Sequence, residues 1–326
     1  MSVNFIRGIE NYPVDSNRQT IVTIGTYDGI HLGHQAILDL VMKESQSTGN
    51  EAILVTFHPH PKVLVAPEHI PLLLTSLEEK RKFIPDFFDG NVLIMNFSEK
   101  VQSLTATEFV ESVLVKTLNA KKVIVGYDHA FGKNRDGNID ALKGLGIKYN
   151  FEVIVVDPVM YREKAVSSSR IRKAILDNHY QEALQMLGHH YAIYGKVERG
   201  LGLGRKLGYP TANVCYDIRK LLPLEGVYAC WAQVGDVERD GMMFIGKNHF
   251  NPQKRITVEA NLFDFDEDIY DQDIIVYPTH FIRENQKFDS TNLLVEQIKK
   301  DKINVINTLK QEKENVNGQR AKSSNY

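Results

Sequence analysis

The stretch Ile24-Gly25-Thr26-Tyr27-Asp28-Gly29-Ile30-His31-Leu32-Gly33-His34 constrains this chain more than any other, because a strand pattern gives way to a helix pattern there. Upstream, Ile21, Val22, Thr23 and Ile24 form a β-branched apolar run, as expected of a strand buried on both faces of a parallel sheet. Downstream, Ala36, Ile37, Leu40 and Val41 recur at helical spacing. Gly25, Gly29 and Gly33 let backbone approach a ligand closely, and the helix that follows opens with free amide hydrogens and the positive end of its dipole. His31 and His34 stand three apart at that mouth, where both imidazoles can donate to a bound phosphate as its charge develops. Alone, a His-x-x-His pair is more often two surface histidines or half of a metal site. The strand, glycine turn and helix around it favour an anion, and the geometry suits nucleotidyl transfer.

At 326 residues the chain is long enough for two domains with separate cores. A formal net charge of -2 with 25% charged residues argues against a general polyanion binder, so no nucleic-acid partner is expected. Cys215 and Cys230 lie in apolar runs without metal spacing and read as reduced core residues of a cytoplasmic protein. No apolar run approaches a membrane span, and no signal-peptide core precedes the first strand. The sequence leaves weak self-association open.

From Ile21 to about Val156, apolar runs at Ile53 to Phe57, Val92 to Met95, Val123 to Gly126 and Val153 to Val156 alternate with amphipathic stretches. The alternation predicts an α/β domain with a doubly wound parallel sheet. Thr75-Ser76-Leu77-Glu78 and Thr105-Ala106-Thr107-Glu108 read as capping-box helix starts. Ligands of such sheets bind beyond the carboxyl ends of the strands. Three loops there stand out: the rigid Thr56-Phe57-His58-Pro59-His60-Pro61, which alone reads as a stiff surface turn; the glycine-punctuated run from Gly126 to Gly137, which alone reads as a solvated linker; and Val166-Ser167-Ser168-Ser169-Arg170-Ile171-Arg172. In the last, two arginines in a first helical turn oppose the helix dipole, which suggests a bound anion such as a triphosphate.

The His31-to-His34 stretch resembles the HxGH signature of nucleotidylyltransferases. With Tyr27-Asp28-Gly29 and the three loops, it most resembles the adenylyltransferase module of the bacterial bifunctional riboflavin kinase/FMN adenylyltransferase family, whose motifs read TFxPHP, GxDxxFGxxRxG and SSTxIR. The resemblance implies that His31 and His34 stabilise the α-phosphoryl transition state, and that Gly25, Asp28, Gly33, Ser168, Ser169 and Arg172 hold ATP phosphates. It implies flavin contacts at His58, Pro59, Asp128 and Phe131. Ala130 stands where the family usually has Arg, and Ser169 where Thr is usual.

From Tyr191 the pattern changes to period two, with runs at Ala192 to Val197, Ala212 to Tyr216, Val227 to Val234, Met242 to Ile245, Ile256 to Phe263 and Ile274 to Phe281. These predict a closed six-stranded antiparallel β-barrel ending near Phe281, with an amphipathic helix from Leu293 to Leu309. The division expected is 1–187, 188–310 and a disordered tail at 311–326. A second glycine cluster, Gly200-Leu201-Gly202-Leu203-Gly204-Arg205-Lys206-Leu207-Gly208, leads into Tyr209-Pro210-Thr211-Ala212-Asn213. Thr211 and Asn213 alternate on a strand and point the same way, so their oxygens can hold Mg²⁺ and phosphates beneath a cationic flap.

That cluster resembles the flavokinase GRxLGxPTAN motif. Gly226-Val227-Tyr228-Ala229, Val258-Glu259 and Ile282-Arg283-Glu284 extend the match in the family's order. The resemblance implies that Glu259 is the general base for the riboflavin 5′-hydroxyl and that Thr211 and Asn213 are metal ligands. By the same likeness Gly204, Arg205, Lys206 and Gly208 would cradle phosphate and Arg283 would contact flavin. ATP, riboflavin, FMN and FAD are the implied substrates and products, with Mg²⁺ as cofactor. Phe244, His249-Phe250, Asn261 and Asp271 depart from the usual Asn, Pro-Thr, His and Gly. They motivate one alternative, an FMN adenylyltransferase with a weakened kinase half; a non-catalytic flavin-sensing or RNA-binding regulator is the other.

Overall fold

The computed structural model describes residues 3–15, 17–133, 136–200, 202–247 and 256–323. They form two compact units that divide between Arg170 and Ile171.

In the first unit β1 (Asn4–Arg7), β2 (Thr20–Ile24), β3 (Glu51–His58), β4 (Asn91–Asn96), β5 (Ala120–Gly126) and β6 (Glu152–Val156) form one sheet in the order β1-β4-β3-β2-β5-β6. Every neighbouring pair is parallel, as the doubly wound expectation requires. Alternate strand residues bury on opposite faces. Val22, Ile53, Val55 and Val123 pack with Phe109, Val113 and Leu142 on one side, while Ile21, Leu54, Val92 and Ile124 pack with Leu38, Val41 and Ile84 on the other. Two covered faces explain why these strands read as continuous apolar runs.

The connections are helical. After β2 comes α1 (Leu32–Thr48); after β3 come the short α2 (Lys62–Val65) and α3 (Leu77–Phe83); after β4 come α4 (Glu99–Ser103) and α5 (Ala106–Phe109), which runs on to Thr117 in wider turns; and α6 (Ile139–Tyr149) links β5 to β6. Thr105 caps α5 with Glu108 as predicted. At α3 the frame is shifted by one: Ser76, not Thr75, is the cap, and Glu79, not Glu78, closes the box. A small hairpin, β7 (Met160–Tyr161) and β8 (Lys164–Ala165), precedes α7 (Ser168–Leu176).

The chain steps from β2 through β3 to β4 on one side and returns to β5 on the other flank of β2. The topological switch therefore lies between β2 and β5, whose carboxyl ends carry the His31 turn and the Gly126 loop. That is where an open α/β sheet forms a ligand crevice.

In the second unit α8 (Tyr180–Leu187) precedes β9 (Ile193–Glu198), a four-residue α9 (Leu203–Lys206), β10 (Ala212–Tyr216), β11 (Gly226–Val234), β12 (Val237–Lys247), β13 (Ile256–Leu262) and β14 (Asp273–Arg283). These strands close the expected antiparallel barrel, and their order around it is β10-β13-β12-β11-β14-β9. Its interior holds Val197, Val214, Tyr228, Cys230, Met243, Ile245 and Val258. Of the cysteines only Cys230 is buried. Cys215 is exposed, because it alternates outward from Val214 on β10, which corrects the expectation of two core thiols.

The last helix, α10 (Thr291–Ser323), packs Val305 and Leu309 against Ala229, Met242 and Phe263 on the outside of the barrel. It continues beyond 310, through much of the segment expected to be a disordered tail. No helix among the described residues is long and apolar enough to cross a membrane.

Candidate active sites

Beyond β2 the backbone enters an unusual turn: Tyr27, Gly29 and Ile30 have φ of 48°, 96° and 43°. A positive φ at a β-branched residue such as Ile30 persists only where the surroundings over-determine it. They do so here. The Tyr27 ring is 1% exposed, and its hydroxyl pairs with Thr23 Oγ1 at 2.6 Å. Gly29 N donates to Thr75 Oγ1 at 2.8 Å, and Thr75 N donates to Asp28 Oδ1 at 2.9 Å. Ser168 Oγ donates to the Asp28 carbonyl at 2.8 Å, and Gln35 Nε2 donates to the Ile30 carbonyl at 2.8 Å. Asp28 is 1% exposed, so its carboxylate braces the turn. Of the residues expected to hold phosphate, Asp28 is the one engaged within the turn itself.

The turn delivers His31 as the N-cap of α1. Its Nδ1 accepts from His34 N at 3.4 Å, which leaves the proton on Nε2. The two imidazoles stack at 3.7 Å between ring centroids with 14° between planes. A Cβ at Gly33 would come within 3.3 Å of the His31 ring, so glycine gives the pair its room. Burial, the neighbouring His31 and the charge of Lys80 hold His34 well below the usual histidine range. Its Nδ1 is buried with no hydrogen-bond partner among the described residues. The outcome is a pair of stacked imidazoles, His34 held neutral, at a helix mouth.

Flanking strands bring the other predicted residues to the same edge of the sheet. His58 ends β3 and Pro59 follows it on one side of β2, and Asp128 lies exposed in the loop after β5 on the other. Phe131 packs partly on the sheet core, 5.9 Å from the Phe109 ring, and its backbone pairs with Gly137 to close that loop. Asn134 and Arg135 lie outside the described residues.

Ser168 and Ser169 open α7 and Arg172 follows in the same helix. Arg170, read as half of a cationic conflict, is spent elsewhere. Its guanidinium donates to the carbonyls of Lys164 at 2.7 Å and Tyr161 at 2.9 Å, tying down the β7-β8 hairpin.

In the barrel, β10 and β13 pair so that Asn213 stands opposite Glu259. Glu259 is half-buried and faces hydroxyls: Thr211 Oγ1 donates to its Oε2 at 3.3 Å and Thr257 Oγ1 to its Oε1 at 3.4 Å. The glycine cluster wraps closely over these groups. A Cβ on Gly200 would lie 2.3 Å from Asn213 Nδ2, and one on Gly204 would lie 2.3 Å from the Tyr209 carbonyl and 3.3 Å from Thr211 Oγ1. Gly202 and Gly208 have φ of 67° and 81°, and Arg205 and Lys206 between them are exposed.

Among the departures, Asn261 is buried and donates to the Pro210 carbonyl at 2.7 Å, bracing the segment that carries Thr211. Phe244 stands opposite Glu259 on β12. Asp271 has φ of 63°, the backbone that favours glycine there. His249 and Phe250 lie outside the described residues. Arg283 forms a near-complete fork on Asp301 of α10, with Nε at 2.9 Å from Oδ1 and Nη2 at 2.7 Å from Oδ2. Its expected flavin contact therefore competes with a helix clamp.

Sequence reasoning missed the roles of Thr75 and Lys80, which act through contacts made far along the chain, and of Thr257, which meets Glu259 from two residues away on the same strand. Among the described residues no three His, Cys, Asp or Glu side chains form a metal cage.

Comparison with known proteins gives the two units their kinship. The FAD synthetase family model matches residues 14–170 and the riboflavin kinase model matches residues 187–309. A bifunctional riboflavin kinase/FMN adenylyltransferase of Buchnera aphidicola from Schizaphis graminum is 38% identical, covering 92% of this chain and 96% of its own length. That of Escherichia coli K12 is 33% identical over the same shares. A crystal structure named as a macrolide-efflux protein from Streptococcus pneumoniae has the same fold, with a TM-score of 0.81 and 32% identity over 94% of this chain and 99% of that one. With both family domains present in this order, the chain belongs to the family of bifunctional riboflavin kinase/FMN adenylyltransferases.

Proposed function

We propose that the two activities of this enzyme are divided between the two sites: the barrel phosphorylates riboflavin to FMN with ATP, and the N-terminal site adenylylates FMN to FAD. The observation that carries this reading is that each unit has its own glycine turn beside a different reacting group, stacked imidazoles in one and a carboxylate between threonines in the other.

In the barrel, Glu259 takes the proton of the riboflavin 5′-hydroxyl as that oxygen attacks the γ-phosphorus of ATP and ADP leaves. Its threonine contacts are long, so an incoming hydroxyl can replace either one. Thr211 and Asn213 offer the hard oxygen donors that Mg²⁺ takes alongside substrate phosphates. When bound, the ion would neutralise charge on the transferring phosphate. Arg205, Lys206 and the backbone of Gly204 and Gly208 cover the nucleotide.

In the N-terminal site the FMN phosphate attacks the α-phosphorus in line and pyrophosphate departs. The nucleophile is already an anion, so positioning and charge stabilisation supply most of the rate. His31 donates through Nε2 to the α-phosphoryl oxygens beside His34, and Gly25, Gly33, Ser169 and Arg172 hold the phosphates. Ser168 acts by bracing Asp28. His58, Pro59, Asp128 and Phe131 border the flavin. The working modules are 1–187 and 188–310, acting in the cytoplasm without a nucleic-acid or membrane partner.

Chromatographic separation of flavins over time, from riboflavin, ATP and Mg²⁺, tests the reading. FMN followed by FAD is expected. FAD from supplied FMN but none from riboflavin would mean a silent kinase; the brace that Asn261 provides for the Thr211 segment argues against that. No product from either substrate would point to a regulator.

A further inference from the structure

The buried face of α3 carries two charged residues, Glu79 and Lys80, 1% and 7% exposed. Glu79 is accounted for by its capping box with Ser76. Lys80 caps nothing, and a buried ammonium is costly without partners. Its Nζ donates to the Thr26 carbonyl at 2.5 Å, an oxygen that also accepts from Thr56 Oγ1 at 3.1 Å. The buried Asp28 carboxylate is the opposing charge that acts on it. Lys80 therefore reaches from α3 into the one turn of the domain in which Tyr27, Gly29 and Ile30 all have positive φ.

We propose that Lys80 is a positioning residue for adenylyl transfer: its ammonium ties the Thr26 carbonyl, balances Asp28, and so holds the turn that presents His31 and His34. The inference rests on the assignment of adenylyl transfer to this site. Two consequences follow from a positive charge placed behind the turn, where burial lowers the Lys80 pKa and the Asp28 carboxylate works against that fall. It adds a favourable potential for the phosphates at the mouth of α1. It also opposes protonation of His34, together with burial and His31, so the stacked rings do not both carry charge. Tyr27, 5.0 Å from the His34 ring, is a further titratable group against that imidazole, and burial holds its phenol protonated.

The test uses the full-length protein with Lys80→Gln, which keeps a donor for Thr26 but removes the charge, and Lys80→Arg, which keeps the charge in a different shape. Both reactions are assayed on each variant, and the His34 imidazole is titrated by ¹⁵N-histidine NMR. Lys80→Gln is expected to slow FAD formation from FMN by at least about tenfold, with riboflavin phosphorylation within about twofold of the parent. The His34 midpoint should rise, because the Lys80 charge is one of the causes, after burial and His31, that hold it down. In Lys80→Arg the midpoint should stay in place while FAD formation still falls, because the guanidinium cannot seat where the ammonium does. Unchanged FAD formation in both variants would overturn the proposal. So would an unmoved midpoint in Lys80→Gln, or equal loss of both activities, which would mark Lys80 as a folding residue only. Should His31→Ala retain FAD formation, the site assignment itself fails, whatever Lys80 does.

Discussion

Asp301 and Arg283 offer the sharpest quantitative test in the barrel unit, because flavin contact and helix clamp predict opposite behaviour for the same arginine. Their side chains are 3% and 17% exposed, and Asp301 also accepts from Gln297 Nε2 at 2.9 Å. Asp301→Ala would leave a largely buried guanidinium without its partner, a change that costs about 3–5 kcal/mol. Arg283 keeps some solvent and its bond to the Glu284 carbonyl, so the lower end, about 3 kcal/mol, applies. For a unit of this size that corresponds to a fall in Tm of about 6–12 °C. The effect should appear in the transition of the barrel unit, followed by the single Trp231 on β11. Arg283→Met combined with Asp301→Leu should recover part of the loss, since a buried pair replaced by apolar groups is often neutral. Riboflavin KM should remain within about twofold of the parent in Asp301→Asn. A melting temperature within about 1 °C of the parent in Asp301→Ala would refute the clamp. A large rise in riboflavin KM for Arg283→Met at unchanged stability would return Arg283 to the flavin.

Gly200→Ala would drive its Cβ to 2.3 Å from the Asn213 amide, so Asn213 must move. Riboflavin phosphorylation should then need at least about tenfold more Mg²⁺ for half-maximal rate, read by magnesium titration, while FAD formation from FMN is unaffected. His34 gives a pH dependence of stability. Its folded pKa lies well below the ordinary 6.5, so below that pH the unfolded chain binds a proton that the folded chain refuses. Stability of the N-terminal unit should therefore fall as pH drops below about 6.5, and His34→Gln should flatten that slope in denaturant titrations at a series of pH values.

The buried strands were legible because both faces of the sheet are covered, so Ile21 to Ile24 and Val123 to Gly126 read as apolar runs. β1 was not legible: Asn4 to Arg7 is a short edge strand with polar ends. The first residues of β12 escaped for a related reason, since Glu238, Arg239 and Asp240 lie at the wet end of a hairpin with no apolar face to betray it. The His-x-Gly-His turn and the glycine cluster were visible as local patterns. Their supports were not. Thr75, one residue before a cap, and Lys80, one charge among Glu78 to Lys82, look like surface residues until the fold turns α3 towards Thr26 and Gly29. Likewise the alternation in β13 puts Glu259 on a strand, but only the register with β10 sets it opposite Asn213.

The central claim, two reactions in two separate sites, is tested most directly by crossing two variants with two substrates. His31→Ala and Glu259→Gln would each be given riboflavin or FMN with ATP and Mg²⁺, and the flavins separated over time. The account predicts that His31→Ala accumulates FMN from riboflavin and makes no FAD from either substrate. Glu259→Gln should form FMN at a rate lower by about 10²–10⁴ while converting supplied FMN to FAD at the parent rate. Loss of both reactions in either folded variant would contradict it.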